Sequence, residues 1–327
     1  MKKTDSVLIL GFPSEISKNV ATALLSSGHS VFLLLSSDDF GQAAHMKKKF
    51  GKQLQLLAGR GDHLDFGLTG EDYLYLAQTV RHTLVVYGDD GGLYSGEFYN
   101  ALVCELVEFC KAAAHLKRLM VLSGFSFVLG FGGVVAENDL ALPLPPRAQE
   151  AQPTYRVERV LSRFRADFPI SIVRCGTLVG MADALCPVVM LALAYPDLFS
   201  KSRSARMLFS SVNDVSGFLL EALSKPHSSK TVHLFNENHN ARQLGEKLSR
   251  MAVSQVPRSF DLRKAAQRWI REAGYDVKRL TGLQTHAQVE NTWTNNMLKE
   301  HNFSKWNRSL NWEPLVEYTV EKLTGFR

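Results

Sequence analysis

The 327-residue chain is 45% hydrophobic and 21% charged, enough apolar material for one large core with a smaller lobe, and its net charge of +6 is too mild to specify nucleic acid. Its four cysteines, Cys104, Cys110, Cys175 and Cys186, have no CxxC spacing and its histidines form no HExxH, so no disulfide framework or metal site is expected. The short polar start, Met1 to Asp5, lacks the apolar segment of a secretion signal, and a cytoplasmic location is expected.

From Ser6 to Leu10 the chain is continuously apolar, as a buried strand requires, and Glu15 to Ser27 then repeats Ile16, Val20, Ala23 and Leu24 at helical spacing before Gly28. Ser30 to Leu35 reads as a second strand, Gln42 to Phe50 as a basic helix and Leu54 to Ala58 as a third strand. Helix Glu71 to Val80 precedes strand Thr83 to Tyr87, and helix Glu97 to His115 precedes strand Arg118 to Ser123. Helix Tyr155 to Phe164 leads into strand Ile170 to Arg174. Strands apolar throughout, alternating with amphipathic helices, predict a doubly wound parallel α/β sheet covered on both faces.

Beyond residue 180 the alternation weakens. Helices are expected over Pro187 to Ala194, Val212 to Leu223, Ala241 to Met251, Leu262 to Arg271, Gln288 to Glu300 and Glu313 to Leu323, with strands over Met207 to Ser210 and Thr231 to Phe235. This divides the chain into a nucleotide-binding-type domain, 1–180, and a C-terminal lobe, 181–327, partly interleaved with the sheet and packed over the strand carboxyl ends. The longest apolar stretches, Leu119 to Ala136 and Leu185 to Tyr195, fall short of the roughly 20 residues of a membrane span. The alternation Phe125, Phe127, Leu129, Phe131 would still suit contact with a membrane surface.

Several phrases carry a resemblance: Ser27-Gly28-His29 before the second strand, Phe66-Gly67-Leu68-Thr69 after the third, Ile172 to Gly180, and Val212-Asn213-Asp214-Val215. With the order of elements they resemble the extended short-chain dehydrogenase/reductases, most closely the thioester-reductase and fatty-acyl-CoA-reductase branch. The resemblance spans about residues 5 to 224, and Pro314 to Tyr318 is similar to that branch as well. It implies a Rossmann-like fold, NADP or NAD as cofactor, a Tyr and a Lys four residues later for proton transfer, and a hydroxyl that orients the substrate carbonyl. It also implies a homodimer through helices 97–115 and 155–164.

Position by position, the chemistry departs from that family. The first turn, Gly11-Phe12-Pro13-Ser14-Glu15-Ile16-Ser17, keeps one glycine of TGxxGxxG, with Ser14 and Ser17 in place of the others. The small residues there let backbone meet a pyrophosphate, and Glu15 brings the wrong charge. The second strand ends in Ser36 and Ser37, hydroxyls that could accept a ribose phosphate, and the family's adenine-facing acid falls on Arg60, which carries donors only. After the fourth strand His-Xaa-Ala-Ala becomes Tyr87-Gly88-Asp89-Asp90, and the sixth strand ends in Cys175. Gly11, Phe12, Ser14, Ile16, Ser36, Ser37, Arg60, Tyr87, Gly88 and Cys175 are therefore the candidate dinucleotide contacts.

Phe125 falls at the carbonyl-orienting position, with Ser123 nearby. Tyr155 and Arg159 form a YxxxR that could replace the Tyr–Lys pair. Aligning Glu158 with the family's helical acid instead puts Glu150 and Thr154 at the proton-transfer positions, leaving neither residue. Two readings follow. One is a non-catalytic relative that binds a small molecule or protein partner, with or without NADP or NAD; the other is an NADP-dependent thioester reductase or epimerase using Tyr155, Arg159 and Ser123.

Overall fold

The computed structural model describes residues 5–87, 96–125, 133–137, 153–180, 187–200, 205–224, 230–272, 288–290, 292–300 and 310–325. Strands β1 (Ser6–Leu10), β2 (Ser30–Leu35), β3 (Leu54–Ala58), β4 (His82–Val85) and β5 (Arg118–Gly124) are followed by a two-residue strand β6 (Val134–Val135) and by β7 (Ile170–Cys175). Strands β8 (Thr177–Val179), β9 (Arg206–Ser211), β10 (Thr231–Leu234), β11 (Glu237–Asn240) and β12 (Gln288–Val289) complete the set. The central sheet has seven strands in the order β10-β7-β5-β4-β1-β2-β3, every neighbouring pair parallel. All five residues of β1 and all six of β7 are buried, as strands covered on both faces must be.

The helices form for local reasons. Ser14 caps α1 (Glu15–Ser26), whose Ile16, Val20, Ala21, Leu24 and Leu25 face the sheet, and Gly28, with φ +86, ends the turn behind it. Helix α2 (Phe40–Phe50) stops at Gly51, φ +55. Thr69 caps α3 (Gly70–Thr79) by accepting the Asp72 amide at 3.1 Å. Then come α4 (Gly96–Ala112), α5 (Pro153–Arg163), α6 (Pro187–Ala194), α7 (Pro196–Ser200), α8 (Val212–Ser224), α9 (Ala241–Val253), α10 (Leu262–Glu272), α11 (Thr292–Glu300) and α12 (Glu313–Thr324). Helix α1 packs beside α8 on one face of the sheet, and α4 beside α5 on the other. The first face holds Phe12, Met120, Val173 and Phe218; the second holds Phe66, Leu106, Phe109 and Leu161.

A third core gathers α6, α9, α10 and α12 around Phe199, Phe209 and Trp312. Beneath it a small sheet runs β11-β9-β8, with β8 parallel and β11 antiparallel to β9. Glu237 ties this lobe together by accepting from the Leu310 amide at 2.7 Å and the Trp312 indole at 3.0 Å. Burial pushes its carboxyl upward, but these bonds and His239 outweigh it and hold the group below the usual carboxylate range. The lobe joins the central sheet at Gly176, whose amide donates to Ser210 Oγ at 2.7 Å while that hydroxyl donates to the Leu234 carbonyl at 2.7 Å. A Cβ at 176 would lie 2.6 Å from the Leu208 carbonyl group, so only glycine allows the approach.

One expected helix, Gln288 to Glu300, is divided. Gln288 and Val289 pair in parallel with β6, the Glu290 amide donates to the Val135 carbonyl at 2.9 Å, and the helix begins at Thr292. Backbone groups spent on a distant strand cannot also enter a helix. Phe125 is buried, edge-on to His233 and Phe235 with centroids 5.0 and 6.0 Å away, so it is not part of an exposed apolar strip; Phe127, Leu129 and Phe131 lie outside the described residues. Among the described residues no helix is long and apolar enough to cross a membrane.

Candidate functional site

In a doubly wound sheet the ligand crevice opens where chain order reverses, here between the carboxyl ends of β1 and β4. Gly11 sits at that point with φ +98, and a Cβ there would stand 2.6 Å from the Val86 carbonyl carbon and 2.7 Å from the Tyr87 amide. The glycine is therefore required by the contact between two loops, independently of any phosphate. Next to it the first turn of α1 is capped by its own side chains. Ser14 Oγ accepts the Ser17 amide at 3.3 Å, and the fully buried Ser17 hydroxyl donates to the Ser14 carbonyl at 2.6 Å. Glu15 stands in the same turn, 3.3 Å from Lys18, where its carboxylate occupies the favourable end of the helix dipole. Phe12 and Ile16 turn their side chains into the core, leaving only backbone to meet a ligand.

The remaining cofactor-side candidates are likewise engaged locally. Ser36 Oγ donates to Asp39 at 2.7 Å, and Ser37 is exposed on the short turn that follows. Arg60 makes two 3.0 Å bonds to Asp62, a bidentate pair that engages its guanidinium locally. The loop beyond holds Asp65, Phe66 and Gly67 at φ 50, 57 and 71, a left-handed run that two non-glycine residues rarely adopt. Phe66, fully buried against Phe109, and a 2.9 Å bond from the Asp65 amide to Glu105 hold it in place. Tyr87 is buried edge-on to Phe98, and Gly88 lies outside the described residues.

On the other side of the crevice the sheet carries a row of polar groups. Register places Ser123 of β5 beside Arg174 of β7, and Arg174 beside His233 of β10, all on the face that α5 covers. Glu158 of α5 accepts from Arg174 Nε at 2.9 Å and Nη2 at 2.7 Å, both on its Oε2, with acid and base fully buried. Arg174 Nη1 donates to His233 Nε2 at 3.1 Å, and His233 Nδ1–H donates to the Glu290 carbonyl at 2.6 Å, which fixes a neutral tautomer. Burial, with the neighbouring guanidinium, pushes the His233 pKa down to about 3. The His233 amide donates to Thr294 Oγ1 at 3.0 Å, and the Thr294 amide donates to Glu137 at 2.9 Å, so the row reaches into α11 and the segment after β6.

Of the catalytic candidates, Tyr155 is buried on α5 whereas Arg159, one turn later, is exposed. Ser123 is 4% exposed, and its hydroxyl has no hydrogen-bond partner. Cys175, also buried, donates its thiol to the Ser123 carbonyl at 3.2 Å. Glu150 lies outside the described residues. Sequence reasoning named Glu158 as the helical acid but missed Arg174, His233, Glu137 and Thr294 as its extended partners. A lone arginine inside apolar Ile170–Cys175 and a lone histidine inside Thr231–Leu234 were the available signals, because buried charge demands a partner. Among the described residues no cluster of His, Cys, Asp or Glu could hold a metal.

No protein-family model matches the chain, and no curated protein sequence is detectably similar to it. Solved structures are. The terminal R domain from the myxalamid PKS-NRPS biosynthetic pathway superposes with a TM-score of 0.70 at 15% identity, over 99% of this chain and 92% of that one. The reductase (R) domain of a nonribosomal peptide synthetase from Mycobacterium tuberculosis gives 0.70 at 14% identity with the same coverage. The dTDP-glucose 4,6-dehydratase from Bacillus anthracis, solved in complex with NAD, gives 0.61 at 15% identity, over 99% and 98% of the two chains. The resemblance read from the sequence therefore holds at the level of the fold: this chain shares the overall fold of these reductase domains and of the dehydratase.

Proposed function

We propose that this chain is a binding or scaffolding protein built on the reductase fold, and that it performs no hydride transfer. The observation that carries this reading is the closed end of α1, where Ser14 and Ser17 satisfy each other at the place a pyrophosphate would need. The Arg60–Asp62 pair and the outward Arg159 support it. The residues at the first turn and beside Arg60 do not fit a dinucleotide held in the manner of the reductases the sequence resembles. Titration with NADPH and with NADH, followed by fluorescence and thermal shift, tests the reading. Weak or undetectable binding is expected; low-micromolar binding that stabilises the fold by about 2.7 kcal/mol at a hundred-fold excess over Kd would contradict it.

One observation favours a second reading, an NADP-dependent reductase of acyl thioesters or similar carbonyls. Tyr155 and Ser123 are both buried, and the Ser123 hydroxyl is uncommitted, as a carbonyl-orienting group would be before substrate arrives. Under that reading Tyr155→Phe abolishes turnover of an acyl thioester with NADPH and leaves the melting temperature close to that of the parent protein. Turnover that survives the substitution removes Tyr155 from any mechanism.

A further inference from the structure

The polar row across β5, β7 and β10 is incomplete in one respect. Arg174 places both of its bonds to Glu158 on Oε2, and Glu158 Oε1, inside a fully buried side chain, has no hydrogen-bond partner. The Ser123 hydroxyl, beside Arg174 in the same row, has none either. A buried carboxylate oxygen and a buried hydroxyl each lose their hydration on folding, and leaving both unanswered costs more than immobilising one small molecule between them. Two such atoms on one face, beneath one helix, mark a place for a guest.

The charges select its class. Glu158 repels an anion and Arg174 repels a cation; the two cancel as a pair, and Arg165, whose charge both feel, is hydrogen-bonded to Thr231 Oγ1 at 2.7 Å. The open acceptor on Glu158 needs a donor, and the Ser123 hydroxyl can give or take a hydrogen bond. Phe125 lies over the outer end of the row against His233, so the guest must be small. From this we infer that Ser123 Oγ and Glu158 Oε1 together bind one neutral hydroxyl-bearing guest, a water molecule in the resting protein, replaceable by the hydroxyl of a ligand entering from the crevice. The guest donates to Glu158 Oε1, shares a hydrogen bond with Ser123, and fixes the direction of the serine hydroxyl.

Substitution gives a sign to read. Ser123→Ala deletes one anchor of a bound guest and lowers the melting temperature. Thr83→Val on β4 supplies the comparison, because Thr83 Oγ1 is equally buried and without a partner but is flanked across the sheet by the apolar Leu8 and Leu119, and its removal leaves the melting temperature unchanged or higher. A high-resolution crystal structure of the ligand-free protein is expected to show density about 3 Å from both oxygens. After a soak in ethylene glycol, a glycol oxygen replacing that density assigns the site to ligand hydroxyls as well as water, and density left unmoved assigns it to water alone. The proposal is overturned if Ser123→Ala raises the melting temperature as Thr83→Val does, if the site is empty, or if Ser123 Oγ is found bonded directly to Glu158 Oε1.

Discussion

At the carboxyl ends of β1 to β3, Ser14, Ser36 and Arg60 find their partners within three residues, in Ser17, Asp39 and Asp62, whereas over β5, β7 and β10 the partners come from far along the chain. Glu158 and Arg174 are 16 positions apart, Arg174 and His233 59, and Thr294 and Glu137 157. Local pairs near the surface form with little help from the fold and contribute little to it. Buried long-range pairs exist only once the sheet is assembled, so the fold depends on them and they depend on it. Three polar side chains of the first half are thus satisfied locally, while the second half holds an ion pair inside the core with two oxygens to spare.

The sharpest test of that contrast sets Arg174→Leu against Arg60→Ala. Removing Arg174 leaves the buried Glu158 carboxylate without either of its hydrogen bonds, and urea denaturation should show a loss of about 3–5 kcal/mol. Removing the half-exposed Arg60 should cost under about 1 kcal/mol. Equal losses would erase the distinction between the halves.

Acid should act on the second half through His233. The His233 pKa lies near 3 in the folded protein against 6.5 for an ordinary histidine, so the unfolded chain takes up a proton that the native protein refuses. The stability this contributes is complete above pH 6.5 and falls as the pH drops toward 3, by up to about 1.4 kcal/mol per pH unit. His233→Gln should flatten that part of the stability profile even if it lowers stability overall, and a profile with the parent slope would show that another group titrates there.

Smaller effects are expected in the cofactor-side half. Gly11→Ala combines a positive φ with a Cβ driven into the Val86 backbone, and should cost about 2 kcal/mol or more in a denaturant titration, whether or not NADPH is present. Ser14→Gly should cost only a few tenths of a kcal/mol, since glycine is a tolerable cap. It reopens the end of α1, and tighter binding of NADPH by this variant than by the parent chain, measured by fluorescence titration, is the expected result. Unchanged affinity would mean that the serine cap is not what closes the site.

The sheet was readable from the sequence because its strands are apolar throughout and its helices are bounded by Ser14, Gly28, Gly51 and Thr69, which act locally. Pro187–Ala194 was readable end to end for the same reason. The pairing of β6 with β12 was not, since two residues meeting two others some 150 positions away leave no periodic trace. Within the site, the glycine-poor first turn was visible, but the mutual hydrogen bonds of Ser14 and Ser17 are a matter of hydroxyl direction. The Arg174 row was half visible: charge inside an apolar strand announces that a partner exists without naming it. The burial of Phe125 ran against an alternation that looked exposed, because the histidine and phenylalanine that cover it belong to β10 and the residue after it.

The joint at Gly176 restricts how the lobe can move. Its amide and the Ser210 hydroxyl rivet β7 to β9 through the end of β10, and the Leu208 backbone lies so near that not even a methyl group fits between. Sliding the small sheet along the large one would shear both bonds and collide at once. The Asn236 amide, donating to the Phe209 carbonyl at 2.7 Å, and the Asn236 side chain, accepting the Ser211 amide at 2.8 Å, add a second fastening beside the first, so the small sheet is held to the large one as a fixed bracket.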